Sequence, residues 1–472
     1  MSILPRRGGR LGERSPAFVL VVCLLLLATL AGAAMPWVGQ SLGALRFGVA
    51  LAITMATALS LVSLRLALAA LVLSLAYPYR TALDPDIALH TTHLQLAIVA
   101  IHLGIGLSLK RLRVPRALLA PALVVFAGSL VATVAGPALG LDALLRLALN
   151  LALALIAACA IAAEFRPERD LRPLVVLMAV SMAGVSLLGL LQQSGAAPPA
   201  LLPLNPGRAD GTFTHPNLLG GYLAATILIL VGVTSGARRS FRLAPLVCLP
   251  AIVLGAAALV ATLSRGALFG LLAGLLAMFA VSVAGRRGLP LLRMVVLSGV
   301  ALAISVALIP SSVSTALSER LEQAGTPAAR GDRDLIYTEA VRTLRDYPLT
   351  GVGFFAFARV AEQRASVGGL ETNFGHAHNI VLEGYLSLGP IGLLAVLWLG
   401  VGAVRRLLAA ERSSDSLVRG YALGAVGALT SIVTQGMADV HFQEVESLTF
   451  FVGILASAYA IERARGEGGA PG

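Results

Sequence analysis

His378 is the residue in this chain whose type and position most invite chemistry. It opens the pattern His378-Asn379, nine residues, Gly389-Pro390-Ile391-Gly392, where a large polar stretch gives way to an apolar run of helix length. An imidazole takes a proton near neutral pH when a partner fixes its tautomer. Asn379 to Glu383 is one helical turn, which makes Glu383 the candidate orienting carboxylate; His376 is a second imidazole close by, and Asn379, His376 and Glu383 are candidate substrate contacts. The bland alternative for either histidine is an interfacial side chain with no chemical part.

Arginines recur in the polar turns. Arg208 lies in Arg208-x-Asp210-Gly211-Thr212-Phe213-x-His215-Pro216-Asn217. Pro216 suits the first turn of a following helix, and a helix N-terminus attracts anions. A guanidinium just upstream grips phosphate bidentately, and His215 and Asn217 are candidate substrate contacts of the same segment. Arg265, in Ser264-Arg265-Gly266, sits between two apolar runs with almost no loop, and a charge at membrane depth is a functional candidate. Arg330 and Arg333 open a helical segment, where basic side chains oppose the dipole and need another reason to be present. The alternatives to anion binding are a solvated loop position for Arg208, a snorkelling anchor for Arg265, and ion pairs with Asp332 or Asp334 for Arg330 and Arg333. Asp84-Pro85-Asp86 with His90 and His93 has the residue types of a metal cluster but reads better as a polar loop, so no metal or other cofactor is assigned. An imidazole beside arginines at a membrane surface points to catalysis on a lipid-linked, phosphate-bearing molecule.

The elements that must position these residues are membrane helices. Of the 472 residues 57% are hydrophobic and 13% charged, and the mean hydropathy is +0.86; soluble domains carry about 25% charged residues. Runs of about 20 apolar residues span a bilayer. They predict spans over about 16–35, 43–61, 64–79, 92–109, 116–136, 143–163, 173–192, 217–234, 243–262, 265–284, 289–310, 379–403, 417–435 and 447–462. The second and third are the weakest pair and read equally as one span plus a re-entrant piece. The fold class is therefore an all-α polytopic integral membrane protein, a single transmembrane domain of about 12–14 helices.

The net charge of +12 falls in short clusters between apolar runs, the pattern of topology signals rather than of nucleic-acid binding. Lys110 is the only lysine. The arginine-rich N-terminus followed by an apolar run reads as an uncleaved first helix with its basic end in the cytoplasm. The clusters at residues 110–113, 166–172, 238–242, 286–287 and 405–419, and the tail with Arg463 and Arg465, then all fall inside. Two substantial turns face out: 193–216, with Arg208, and 311–378, a large outer loop that carries part of the active site. Within the latter, Asp334 caps a helix whose apolar face uses Ile336, Ala340, Val341 and Leu344, ended by Pro348 and the Gly351-Val352-Gly353 turn. Cys23, Cys159 and Cys248 all lie in apolar runs, so no disulfide framework or zinc spacing is available. No nucleotide-binding glycine loop is present.

The constellation resembles the O-antigen ligase family, polytopic membrane glycosyltransferases that include O-antigen polymerases. His378-Asn379-x9-Gly389-x2-Gly392 fits its signature. The Arg208–Asn217 segment, Ser264-Arg265-Gly266 and the Pro348-x2-Gly351-x-Gly353 turn resemble three further features, over roughly residues 200–405. The resemblance implies a donor glycan on undecaprenyl pyrophosphate at the periplasmic leaflet of the bacterial inner membrane, and a lipid A-core, glycan or protein acceptor. It implies His378 as base, Arg208 and Arg333 (before Arg330) as pyrophosphate clamp, Arg265 as a third cation, inversion at the anomeric carbon, and no metal. The competing reading is a multi-span transporter or flippase; no inverted repeat or broken helix favours it.

Overall fold

The computed structural model describes residues 53–77, 80–84, 87–197, 201–236, 241–285, 299, 315, 318, 327–367 and 375–468. The expected span over 16–35, that over 289–310 apart from residue 299, and residues 43–52 of the second expected span lie outside these residues, as do the 238–239 and 286–287 arginine pairs. A short helix α1 (Leu64–Ala76) leads into a two-stranded antiparallel hairpin, β1 (Arg80–Asp84) and β2 (Ile87–His90). Then come α2 (Thr91–Ser108), α3 (Arg116–Ala135), α4 (Leu141–Glu164), α5 (Pro167–Gln193), α6 (Pro216–Gly236), α7 (Ala244–Ala261) and α8 (Arg265–Ala284). The large loop carries α9 (Pro327–Asp346) and α10 (Phe357–Val367), and α11 (Ile380–Ala410), α12 (Ser416–Gly436) and α13 (Val445–Gly468) complete the chain.

Among the described residues, ten helices are long and apolar enough to cross a membrane: α2 to α8 and α11 to α13. Each coincides with an expected span, so the protein is an all-α polytopic membrane protein. The expected third span is corrected: α1 has 13 residues, a rise of roughly 20 Å, too short for a hydrocarbon core of about 30 Å. The hairpin that follows was not legible as strands, being only five and four residues long.

The core is helix on helix. α6 lies at the centre, with 94% of its span buried, against 28% for α8 at the periphery. Lipid offers no hydrophobic drive for helix association, so close approach of small residues has to supply it through dispersion. A Cβ on Gly232 of α6 would lie 2.5 Å from the Gly420 carbonyl and 2.6 Å from the Gly424 nitrogen of α12; any side chain there would part the two helices.

The helices alternate in direction, which sorts their ends. The starts of α2, α6, α8, α11 and α13 share one end with the finishes of α5, α7 and α12, as the bonds Ala209 N–H to Ala261 O and Asn217 to Asp439 require. The described basic clusters, Lys110 to Arg116, Arg166 to Arg172, Arg405 to Arg419, and Arg463 with Arg465, all lie at the opposite end, where Arg463 bonds the Ala162 and Phe165 carbonyls.

The large loop is seated on α11 by a broken helix, which corrects the expectation that none is present. Pro390 has no N–H, so the Leu386 carbonyl four residues back loses its helical donor; Gly389, at φ 66°, takes the break. The Val352 and Gly353 amides fill the vacancy, donating to that carbonyl at 2.7 and 3.2 Å. The Tyr385 hydroxyl adds a bond to the Pro348 carbonyl at 2.6 Å. The loop has a small core of its own, with Ile336, Ala340, Val352, Phe357, Val360 and Ala361. Two expectations are corrected. Asp334 lies within α9, which begins at Pro327, and is not its cap. Val341 is exposed, whereas Ile336, Ala340 and Leu344 do face the loop core.

Candidate active site

Asp439, in the turn between α12 and α13, is the hub of a polar cluster at the end of the bundle away from the basic clusters. One of its oxygens, Oδ1, accepts from His376 Nε2 at 2.8 Å and from His378 Nδ1 at 3.1 Å. The other, Oδ2, accepts from the Asn217 amide at 2.6 Å. The Asn217 carbonyl oxygen in turn accepts from an Arg208 terminal nitrogen at 2.8 Å, and Arg208 Nε donates to the Thr262 carbonyl at 2.8 Å. Two motifs some 170 residues apart in sequence thus meet on one carboxylate.

Local sequence explains each placement. Asn379 caps α11: its side-chain oxygen accepts the Val381 and Leu382 amides, so it holds His378 at the helix mouth instead of offering that oxygen to a substrate. His378 itself has φ 47°, in the sparsely populated left-handed region. Such strain persists only where surroundings over-determine it, and here the Tyr337 hydroxyl bonds the His378 carbonyl at 3.4 Å. The Arg208 segment is pinned by buried Asp210, which accepts the Leu204 and Asn205 amides, and by Gln192, which bonds both the N–H and the carbonyl of Gly211. Leu263, also left-handed at φ 52°, turns the chain so that Thr262 reaches Arg208 while Ser264 caps α8.

The expectation that Glu383 orients His378 is corrected. Glu383 is 2% exposed, and its oxygens accept the Ala377 amide and the Ser387 hydroxyl; it braces the backbone before His378. Asp439 orients the ring instead. Sequence reading missed Asp439, and with it His441 and Gln435, whose side chains bond each other at 2.8 Å. The available signal was an aspartate and a histidine together in a short turn on the face already assigned to His378.

The other expected residues fall as follows. Arg265 is the first residue of α8, beside the Thr262 anchor of Arg208. His215 Nδ1 accepts the Asn217 backbone N–H at 3.1 Å. Arg333 stands one helical turn before Tyr337 on α9, hence on the same face. Arg330 and Asp84 have their side chains outside the described residues, and Pro85 and Asp86 lie outside them altogether. His90 and His93, the rest of that expected cluster, point elsewhere: His93 to Asn150 and His90 to Glu446. The loop arginines Arg359 and Arg364 pair with Asp142, and with Glu339 and Asp346, and serve to dock α10.

Electrostatics fix an anion at the hub of the cluster. Burial alone would raise the Asp439 carboxyl, but the bonds from His376 and His378 and the nearby His441 hold it well below the usual carboxylate range. Burial pushes the His441 imidazole down to about 4, against the pull of Asp439. Burial and the neighbouring Arg208 also lower His215. His378 is the more open of the paired rings, its side chain 27% exposed against 13% for His376. With Nδ1–H given to Asp439, its Nε2 carries the lone pair. His376, His378 and Asp439 also place one ligand atom each within 4.8 Å of one another, so they have the donor types for a metal ion, although a cation there would displace both imidazole bonds to Oδ1.

Residues 250–397 match the sequence model of a family described as O-Antigen ligase. Over these residues the chain is similar to the O-antigen ligase family. The matched segment runs from within α7 past the kink of α11, and takes in Arg265, Arg333, His376 and His378. Arg208 and Asp439 lie on either side of it and reach the site through the fold. No curated protein matches the chain.

Proposed function

We propose that the protein transfers a glycan from undecaprenyl pyrophosphate to an acceptor hydroxyl on the outer face of the bacterial inner membrane, with both termini in the cytoplasm. The observation that carries this reading is the Arg208–Asn217–Asp439–His378 chain of hydrogen bonds, which sets a cation and an orientable base side by side. The arginine clusters at the far end of the bundle support the orientation.

In the reaction, His378 Nε2 takes the proton of the acceptor hydroxyl as its oxygen attacks the anomeric carbon. The bond from that carbon to the pyrophosphate oxygen breaks, and undecaprenyl pyrophosphate leaves with the electron pair, inverting the centre. Asp439 positions the ring and stabilises the imidazolium. Arg208, with Arg265 and Arg333, bears the charge that develops on the leaving group, a part guanidinium groups perform in place of a metal ion. Lipid A-core, a growing glycan and a protein hydroxyl are the acceptor types that fit.

The test is transfer from a lipid-pyrophosphate glycan in proteoliposomes. His378→Ala should lower the rate by about 10²–10⁴-fold and Arg208→Ala by about 10²–10³-fold, with protein levels unchanged. A wild-type rate in either variant removes that residue from the mechanism.

A further inference from the structure

A second polar cluster at the same end of the bundle is not used by the transfer reaction. His90, the residue that opens α2, presents Nδ1 to Glu446 Oε2 at 3.1 Å. Glu446 is 1% exposed, yet its other oxygen, Oε1, has no hydrogen-bond partner among the described residues. Glu444, two residues before it, places a carboxylate oxygen in the same cluster, so that the three ligand atoms all lie within 4.8 Å of one another. Two carboxylates this close repel unless a proton or a cation lies between them, and a buried charged oxygen without a donor is rare in folded proteins.

We propose that His90, Glu444 and Glu446 bind a divalent transition-metal ion. One imidazole nitrogen and two carboxylates make a mixed donor set that suits zinc or manganese better than calcium, which prefers oxygen alone. The carboxylate charges match a divalent ion, and three protein ligands leave a coordination position for water.

The surroundings fix both ligand-bearing segments, as metal sites require. The His90 backbone N–H donates to His93 Nδ1 at 3.0 Å, so His93 carries its proton on Nε2 and gives it to the Asn150 carbonyl oxygen at 2.9 Å. The Asn150 amide donates to the Gln443 carbonyl, next to Glu444, at 2.9 Å. Asn150 reaches both because it sits in the single π-helical turn of α4, Leu147–Ala152, a local distortion found mostly at functional sites.

The position gives the ion a structural task. The Thr214 hydroxyl lies 3.4 Å from Glu444 Oε1, and the Asn205 amide donates to the Thr214 carbonyl. A metal held by Glu444 therefore ties the starts of α2 and α13 to the segment that carries Arg208. Glu446 also lines a cavity of about 40 Å³ together with Asp439 and His441, room for about one water molecule.

The experiment uses the full chain in detergent, stripped with chelator and dialysed against zinc or manganese chloride. We expect about one ion per chain and a melting temperature that rises with metal concentration. Zinc should bind more tightly than manganese. Glu446→Gln and His90→Gln should weaken binding by about tenfold or more, whereas His378→Ala should leave it unchanged. If either buried variant fails to fold, Glu444→Gln carries the test, because Glu444 is partly exposed. Absence of bound metal in the wild type overturns the proposal, as does binding that persists in Glu444→Gln and Glu446→Gln. Loss of binding in His378→Ala overturns it too, by moving the ion to the Asp439 cluster.

Discussion

Replacing Asp439 by asparagine removes one charge and almost no volume, and should disable the site while leaving the helices folded. The carboxylate accepts from His376, His378 and Asn217. An amide keeps one acceptor oxygen, and its NH₂ group then meets either an imidazole N–H or the Asn217 NH₂. At least one favourable bond becomes a donor facing a donor. A hydrogen bond to a charged group contributes about 1.5–3 kcal/mol. Depending on which way the amide turns, it loses either the Asn217 bond, and with it the anchor of Arg208, or both imidazole bonds, which removes about 1.5–3 or about 3–6 kcal/mol, or roughly 10–10⁴-fold in rate. Transfer in proteoliposomes should fall by that factor in kcat, at unchanged protein amount and with a melting temperature within a few degrees of wild type. The decisive comparison is the double variant with His378→Ala. If Asp439 acts through the ring, the double variant is no slower than His378→Ala alone, because residues that act as a unit are not additive. Near-wild-type transfer by Asp439→Asn, or a double variant in which the two losses multiply, would refute the assignment.

Acid should destabilise the site. The folded His441 value of about 4 lies below its ordinary value of 6.5, so the unfolded chain binds more protons between those pH values and stability falls as pH drops through them, by roughly 3 kcal/mol in all. Asp439, also held low, adds loss in the same direction once pH falls below the ordinary carboxylate value. Thermal unfolding in detergent at pH 7.5 and 4.5 measures this, and His441→Gln should flatten the difference. Gly351→Ala should cost about 1–3 kcal/mol, since Gly351 has φ 71° and its Cβ would lie 2.4 Å from the Leu386 carbonyl; Gly400→Ala, which meets nothing within 4 Å, is the matched control for melting temperature. Asn217→Asp should lower transfer by about 10²-fold or more, because a second carboxylate against Asp439 both repels it and pairs directly with Arg208; an unchanged rate would sink the relay.

Much of this molecule was legible because lipid restricts the choices. Ten described spans coincide with apolar runs, since a buried backbone in a bilayer must be helical. His378 and Arg208 stood out by residue type, and they share one end of the bundle as the parity of turns required. The carboxylate partner was misread because sequence spacing reveals only local neighbours: Glu383 is one turn from Asn379, whereas Asp439 reaches His378 by tertiary packing. Asn379 was assigned to substrate although it is a helix cap, and polar residues at helix starts often serve both ends. The Gly389-Pro390 pair was visible, but neither the break it makes nor what fills it, because the partner amides at Val352 and Gly353 lie in a loop whose path no local pattern fixes.

The choice of an amide at position 217 makes physical sense of the whole cluster. In the proposed reaction one half of the site must hold negative charge next to a ring that becomes cationic, and the other half must hold positive charge next to a pyrophosphate. A direct Arg208–Asp439 ion pair would join the halves and weaken both, since each charge would be screened by the other before a substrate arrived. Asn217 joins them without that loss. Its NH₂ end faces the carboxylate at 2.6 Å and its carbonyl end faces the guanidinium at 2.8 Å, so each charge is oriented by a neutral dipole of matching sign. The amide does not ionise at any physiological pH, and the spacing it imposes leaves the guanidinium field directed at the anion it has to stabilise.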